Sequence, residues 1–185
     1  MKIYNKIIIL CALIVLASGC ETYNDMDVDH TAIYPMDGEW IVNYINTSVT
    51  PNDTSDFVVL STYGTVDNSS TQMWIRSINH ELTGAVPPMA SFTGKINVNV
   101  TDKTFEGSNV NNTRIIPNST ATPPVLAQSF TITNGSVVLG GYTTLTGGKA
   151  DKISFTMTDT RKAGVVYSVV GFRRTFWLAD EGLPY

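Results

Sequence analysis

The sequence has little cysteine and little histidine, and both shortages restrict its chemistry. Its two cysteines are Cys11, inside the apolar N-terminal segment, and Cys20, just after it. No thiol is left downstream for a disulfide, a zinc site or a catalytic nucleophile. We therefore expect no metal and no cofactor. The two histidines are His30 and His80, and a serine hydrolase that uses histidine as its base would have only His80 in the domain.

Charge is also scarce, at 15% of residues against about 25% in typical domains. Without Lys2 and Lys6, which belong to an N-terminal signal, 10 basic and 16 acidic residues remain, a formal charge of −6. Nucleic-acid-binding domains are usually basic, so we exclude nucleic acid as a partner. Threonine, valine, asparagine and serine are abundant instead, and this composition favours strands over helices.

The sequence has no apolar run long enough to span a bilayer, which takes about 20 residues. The run 7–17 follows Lys2 and Lys6 and has the length of a secretory signal's apolar core. The segment Leu16-Ala17-Ser18-Gly19-Cys20 resembles a bacterial lipobox. This resemblance implies cleavage before Cys20 and acylation of Cys20, which would hold the protein at a membrane. The alternative is an ordinary signal peptide with a chance cysteine.

Three regions follow from these signals. Residues 1–19 are predicted to be a lipoprotein signal peptide, 20–37 a lipidated flexible linker, and 38–185 a single domain. The linker is polar and acidic, and its Asp25-x-Asp27-x-Asp29 spacing is similar to that of a calcium loop. His30 and Met36 stand where such a loop needs glycine and glutamate, so we interpret the segment as a solvated linker.

From residue 38 onward, short strands alternate with turn residues, which predicts a β-sandwich or barrel. In 92–101, Phe92, Ile96, Val98 and Val100 share one face, as in a half-buried antiparallel strand. Asn134-Gly135 is a strong hairpin signal and predicts a turn between strands at 128–133 and 136–144. The other predicted strands lie near 39–46, 56–63, 71–78, 103–108, 151–158 and 165–174, and the tail 176–185 leaves room for one helical turn.

The first strand opens with Gly38-x-Trp40, and the last carries Arg173 and Arg174. This arrangement resembles that of calycins and lipocalins, where the tryptophan fills the closed end of a barrel and an arginine packs across it. A guanidinium over an indole is attractive through cation–π interaction. We predict that Trp40 contacts one of the two arginines, and that the fold is an all-β, calycin-like, antiparallel up-and-down barrel of about eight to ten strands.

The C-terminal third sharpens the resemblance. Segments 134–136, 140–141, 149–155 and 170–175 resemble a family of lipoproteins from Bacteroidota known as lipid-binding putative hydrolases, which are described as calycin-like. The resemblance covers 40–181 and implies a lipid-like small molecule as ligand. No Gly-x-Ser-x-Gly elbow is present, and most carboxylates border turns, so no catalytic residue is transferred and the question of enzymatic activity stays open.

Strand alternation and the predicted hairpin together define a set of inward-facing apolar residues. A cavity would have these as its wall, and aromatic residues such as Tyr44 and Tyr167 are further candidates. The alternative is an interior filled by side chains. The predicted wall consists of Phe92, Ile96, Val98, Phe130, Ile132, Leu139, Ile153, Phe155 and Met157.

The sequence thus predicts an envelope lipoprotein, associated with the outer membrane, that binds an apolar or amphipathic ligand in its barrel. Loops 80–90 and 109–124 are expected to border the mouth, where Arg76, His80 or Glu81 would meet a polar head group. Two alternatives remain open. One is a lipid or ester hydrolase of unknown mechanism, and the other is a structural or accessory surface protein with a filled barrel.

Overall fold

The computed structural model describes residues 29–77, 91–114, 120 and 127–181. This part of the chain is almost entirely β-structure, with one 3-10 turn (Thr160–Lys162) and one short helix, α1 (Leu178–Glu181). Its strands are β1 (Gly38–Asn46), β2 (Asp53–Thr54), β3 (Val58–Gly64), β4 (Gln72–Ser77), β5 (Phe92–Asn99), β6 (Thr104–Asn111), β7 (Ser129–Thr143), β8 (Lys149–Asp159) and β9 (Tyr167–Arg173).

The strands form one antiparallel sheet that closes on itself. From β3 to β9 each strand pairs with the next, β1 pairs with β3, and β1 also pairs with β9 from Trp40↔Arg173 to Asn46↔Tyr167. The two-residue β2 pairs with the far end of β1, beyond β3. Eight strands therefore make a closed barrel and β2 is an addition, which confirms the predicted up-and-down barrel.

Alternation of apolar and polar residues explains which side chains fill the barrel. In β1 the inward residues are Trp40, Val42 and Tyr44, and in β4 they are Met73, Ile75 and Ser77. A second, small apolar cluster lies on the outer wall, where Tyr142 stacks on Phe172 with ring centroids 4.5 Å apart.

The hairpin predicted at Asn134-Gly135 is wrong. These residues lie inside the continuous strand β7, which pairs with β8 on both sides of them, at Thr133↔Thr156 and Ser136↔Ser154. The register shifts by one residue there, as in a β-bulge. Asn134 adopts a positive φ (54°) in this bulge and not in a hairpin turn, because pairing with the strands on both sides of β7 keeps β7 extended.

The inward position predicted for Leu139 is also wrong, since this side chain is half exposed. Leu139 lies beyond Ser136, the last β7 residue paired with β6, and next to a second register shift between Val138 and Tyr142. Gly140 has a φ of +61° in this second shift. The strand leaves its regular alternation there, so residue parity no longer predicts the facing side.

The two ends of the barrel differ. One end, here called the closed end, carries the connections 65–71, 100–103 and 144–148 together with the segment 29–37. The other, here called the mouth end, is where β1, β4, β6 and β8 end, and its fully described connections are 47–57 and 160–166. Ile33 and Met36 are fully buried in the core at the closed end, so the packed domain includes residues that the sequence assigned to the linker.

Candidate ligand-binding site

Trp40 and Arg173 close one end of the barrel. Trp40 is fully buried, and the Arg173 guanidinium carbon lies 4.5 Å from the centre of its ring. Arg173 also donates to the carbonyls of Pro35 and Asp37 and forms an ion pair with Asp151 at 2.9 Å. These contacts fasten the N-terminal segment across the barrel, so a ligand reaching the interior would enter from elsewhere.

Arg174, the other candidate for this contact, has a different role. It pairs with Glu39 at 2.9 Å and with Glu181 at 3.2 Å, on the outer side of the closed end. Hydrogen bonding to Glu39 is the main cause that raises its pKa. Arg174 therefore links β1 to α1 and does not contact Trp40's ring.

The middle of the barrel is closely packed around Gly94. A Cβ atom at Gly94 would lie 2.5 Å from Val110 and 2.6 Å from the Phe130 ring. The Phe92 and Phe130 rings lie 4.8 Å apart, and those of Phe105 and Phe155 lie 5.7 Å apart. A ligand could enter between these residues only if side chains moved. Nearer the mouth end, the buried side chains include polar ones.

Two buried hydroxyls near the mouth end have no hydrogen-bond partner. The Tyr44 side chain projects inward near the end of β1, and Ser77 is the last residue of β4 and fully buried. The Tyr44 phenol and the Ser77 hydroxyl are near each other but form no hydrogen bond of acceptable geometry. An unsatisfied buried hydroxyl costs about 1–3 kcal/mol, so the pair is suited to a ligand that brings acceptors.

The electrostatics of this pair favour donation over catalysis. Burial raises the pKa of Tyr44 well above its ordinary value, and the neighbouring Ser77 hydroxyl opposes the shift more weakly. The Tyr44 phenol therefore keeps its proton at neutral pH and cannot remove one from Ser77. Both hydroxyls can donate a hydrogen bond to an oxygen acceptor, such as that of a carboxylate or ester.

A network of polar contacts fixes the strand ends around this region. Asp159 at the end of β8 is buried and accepts from the backbone and side chain of Arg161, whose guanidinium also donates to the carbonyl of Ser91. Asn112 is buried as well, and its side chain bonds the Thr93 amide at 3.1 Å and the Ser91 carbonyl at 3.3 Å. These bonds hold the start of β5 to the ends of β6 and β8.

Among the described residues, mainly polar side chains line two depressions in the barrel wall. One, of about 440 Å³, lies where β5, β6 and the β7 bulge meet, and the other, of about 300 Å³, lies between β5 and β6 beyond their paired residues. Ligand pockets span roughly 300–1,000 Å³ and are mostly apolar. The asparagine-rich linings, which include Asn97 and Asn134, fit an acyl chain poorly.

The structure brings together eight of the nine predicted wall residues. All of them except Leu139 belong to the buried core inside the barrel: Phe92, Ile96, Val98, Phe130, Ile132, Ile153, Phe155 and Met157. A role for them in ligand binding stays a prediction. Arg76 lies on the opposite face of β4 from Ser77. Cys20, His80 and Glu81 lie outside the described residues, as do residues 81–90 of the first loop and most of 115–126 in the second.

Sequence reasoning missed Ser77 and treated Tyr44 only as one aromatic residue among several. The pattern did contain a signal, because Ser77 continues the inward series Met73, Ile75 with a polar residue. A hydroxyl at an inward position close to a loop is worth examining, since buried polar groups normally have partners.

The described part of the chain contains no group of three or more His, Cys, Asp and Glu side chains arranged to hold a metal ion. Of its helices, none has the length and apolar character that a membrane span requires.

Comparison with known families gives a clear match. Residues 25–178 match the family described as lipid-binding putative hydrolase. The chain belongs to this family. A comparison with curated proteins found no match. Family membership and the closed barrel together fit a lipid-binding role.

Proposed function

We propose that this protein binds an amphipathic, lipid-like molecule at the mouth end of its barrel. The observation that carries the proposal is the pair of buried, unpartnered hydroxyls of Tyr44 and Ser77 in a mainly apolar interior. An oxygen-bearing head group would accept hydrogen bonds from both. Its acyl chain or fused ring would contact the surrounding apolar side chains, where a sugar would leave hydroxyls unpaired.

We also propose that the protein is held at the cell envelope. The lipobox-like segment ending at Cys20 supports a protein that acyl chains hold at the cell envelope, with the outer membrane as the proposed site. In this arrangement the barrel receives or presents lipid-like molecules close to a bilayer. The raised pKa of Tyr44 gives no support to hydrolysis by Ser77, so binding is the function we favour.

Titration with a fluorescent fatty acid tests the proposal. Each lost hydrogen bond to the head group is expected to cost about 1 kcal/mol, so Tyr44→Phe and Ser77→Ala should each weaken binding by roughly fivefold to tenfold. Tyr63→Phe and Ser61→Ala are matched controls on β3, outside the barrel interior, and should leave affinity unchanged. A fluorescent alkane without oxygen should bind equally to the wild type and to both hydroxyl variants.

A second pair of variants tests where the acyl part lies. Phe155→Trp enlarges a buried side chain inside the barrel, and Leu139→Trp makes a similar addition on the exposed wall. The first should reduce fatty-acid uptake in a folded protein, and the second should not. If the wild type takes up no fatty acid, the binding proposal is wrong and the alternative of an accessory protein with a filled barrel replaces it.

A further inference from the structure

Large apolar side chains are exposed at the closed end of the barrel. They come from the N-terminal segment, from two strand connections and from the residues after β9. Each is at least half exposed: Tyr34, Val66, Leu145, Phe176, Trp177 and Leu178. We call these six residues the closed-end patch. Consecutive exposed Phe, Trp and Leu residues differ from the scattered apolar residues of an ordinary surface.

The residues after β9 are arranged with apolar side chains outward and acidic side chains inward. Asp180 and Glu181 are buried, while Phe176, Trp177 and Leu178 are exposed. This reverses the usual distribution, in which carboxylates face water. The buried carboxylates of Asp180 and Glu181 thus hold this segment in a conformation that leaves its apolar side chains exposed.

Hydrogen bonds fix this segment to the barrel. Asp180 accepts from the backbone amide of Thr146 at 3.2 Å and also from its hydroxyl, which holds α1 against the connection that carries Leu145. Glu181 accepts from the Phe176 amide at 2.8 Å and pairs with Arg174. The part of the patch after β9 is therefore held in place together with Leu145.

The N-terminal segment leads to the same end of the barrel. Ile33 and Met36 are buried there, and the Ala32 amide donates at 2.8 Å to the side chain of Asn68, which lies in the connection that carries Val66. Eight residues lie between Cys20 and Asp29, the first described residue, so the chain makes nine residue-to-residue steps from one to the other. Fully extended, they reach roughly 30 Å, so an anchor at Cys20 would keep the closed end near the bilayer.

We propose that the closed-end patch inserts into the interface of the membrane that holds Cys20, with the mouth end facing away from the bilayer. The inference rests on the proposed acylation of Cys20. The mature chain's charge of −6 gives no attraction to anionic lipids, so the contact depends on apolar insertion. Tryptophan and other aromatic side chains favour the headgroup region.

The test uses the full chain, acylated and reconstituted into phosphatidylcholine vesicles. Because Cys20 is acylated, Leu178→Cys and Val49→Cys each supply one reactive thiol for a polarity-sensitive fluorophore. Val49 is exposed at the mouth end and serves as the matched control. Compared with the same labelled chain before reconstitution, the emission of the probe at 178 in vesicles should shift to shorter wavelength, and its quenching by iodide should fall several-fold, at low and at high salt. The probe at 49 should not change.

Any other result contradicts the inference, and the following outcomes identify which part of it is wrong. Equal iodide quenching of both probes in a chain that mass spectrometry shows to be acylated overturns the docking and leaves the anchor intact. An unacylated mature chain overturns both. Protection of the probe at 178 without vesicles, increasing with protein concentration, shows that a second copy covers the patch.

Discussion

At the scale of single residues, two tryptophans with opposite surroundings show how the chain divides its roles. Trp40 is fully buried, donates to the Thr62 hydroxyl at 2.8 Å and lies under Arg173. Trp177 is mostly exposed. Burial and satisfied hydrogen bonding make the first a structural residue. Exposure of the apolar Trp177 ring to water is unfavourable, and a role in a binding surface would explain it.

Trp40→Ala is expected to lower the free energy of unfolding by about 3–5 kcal/mol, because it removes a buried ring and leaves Arg173 without its platform. Trp177→Ala is the matched control and should change the free energy of unfolding by about 0.5 kcal/mol or less. Urea denaturation of both variants measures this. Equal effects in the two variants would mean that Trp40 does not secure the closed end.

Tyr44→Phe should leave stability unchanged or raise it by about 1 kcal/mol at pH 7, since the buried phenol lacks a partner. Burial raises the pKa of Tyr44 in the folded state. A raised folded-state pKa means that the wild type has its full stability below the unfolded pKa of about 10. As the pH rises above that value, the phenol ionises more readily in the unfolded state, and the free energy of unfolding falls. The variant's advantage should grow above pH 10.

Urea denaturation at neutral and alkaline pH follows both changes. Tyr63→Phe, on the exposed outer face of β3, is the control and should show neither effect. A clear loss of stability in Tyr44→Phe at pH 7 would show that the phenol has a partner in the free protein, and would contradict its proposed availability to a ligand.

At the scale of elements, β7 is the strand that gives the barrel its irregular wall. Its bulge at Asn134-Gly135 brings Gly135 against β6, where a Cβ atom would lie 2.3 Å from the Phe105 carbonyl oxygen. Backbone cannot move aside as a flexible side chain can. The bulge thus depends on glycine at 135 for space and on Asn134 for a positive φ.

Gly135→Ala should destabilise the protein by about 1–3 kcal/mol through overpacking. Asn134→Gly is the control, because glycine adopts a positive φ at no steric cost, and it should be close to neutral. Thermal unfolding of both variants distinguishes them. A Gly135→Ala protein with an unchanged midpoint would show that β6 and β7 are further apart than described.

At the scale of the whole molecule, the barrel has two functionally different ends. The mouth end carries the unpartnered hydroxyls, and the closed end carries the N-terminal segment and the exposed apolar patch. An anchor that leads from the closed end would leave the mouth end free. The proposed binding and the proposed membrane contact therefore do not compete for the same surface.

Cys20→Ala is expected to release the protein from membranes, because multiple acyl chains provide stable attachment at about 0.8 kcal/mol per buried methylene. Fractionation and palmitate labelling measure this, and Cys11→Ala is the control that should keep both. A Cys20→Ala protein that still incorporates palmitate and sediments with membranes would contradict the lipobox interpretation.

Local patterns in the sequence were enough to predict several features of the fold. Alternation placed Ile96 and Phe155 inside. The resemblance of Gly38-x-Trp40 and the C-terminal arginines to the calycin arrangement predicted the contact that Arg173 makes with Trp40. Alternate residues of a strand point to opposite faces of the sheet. A regular alternation of apolar and polar residues therefore shows which side chains point inward. The same reasoning failed for Leu139, because parity ends at a bulge.

Features that depend on contacts between residues distant in the sequence could not be predicted from local patterns. Asn134-Gly135 fits a hairpin turn or a bulge equally well, and strands β6 and β8 on either side selected the bulge. Tyr44 and Ser77 come from different strands, and whether a buried hydroxyl has a partner depends on packing across the barrel. The closed-end patch is likewise assembled from several connections, because barrel closure brings them to one end.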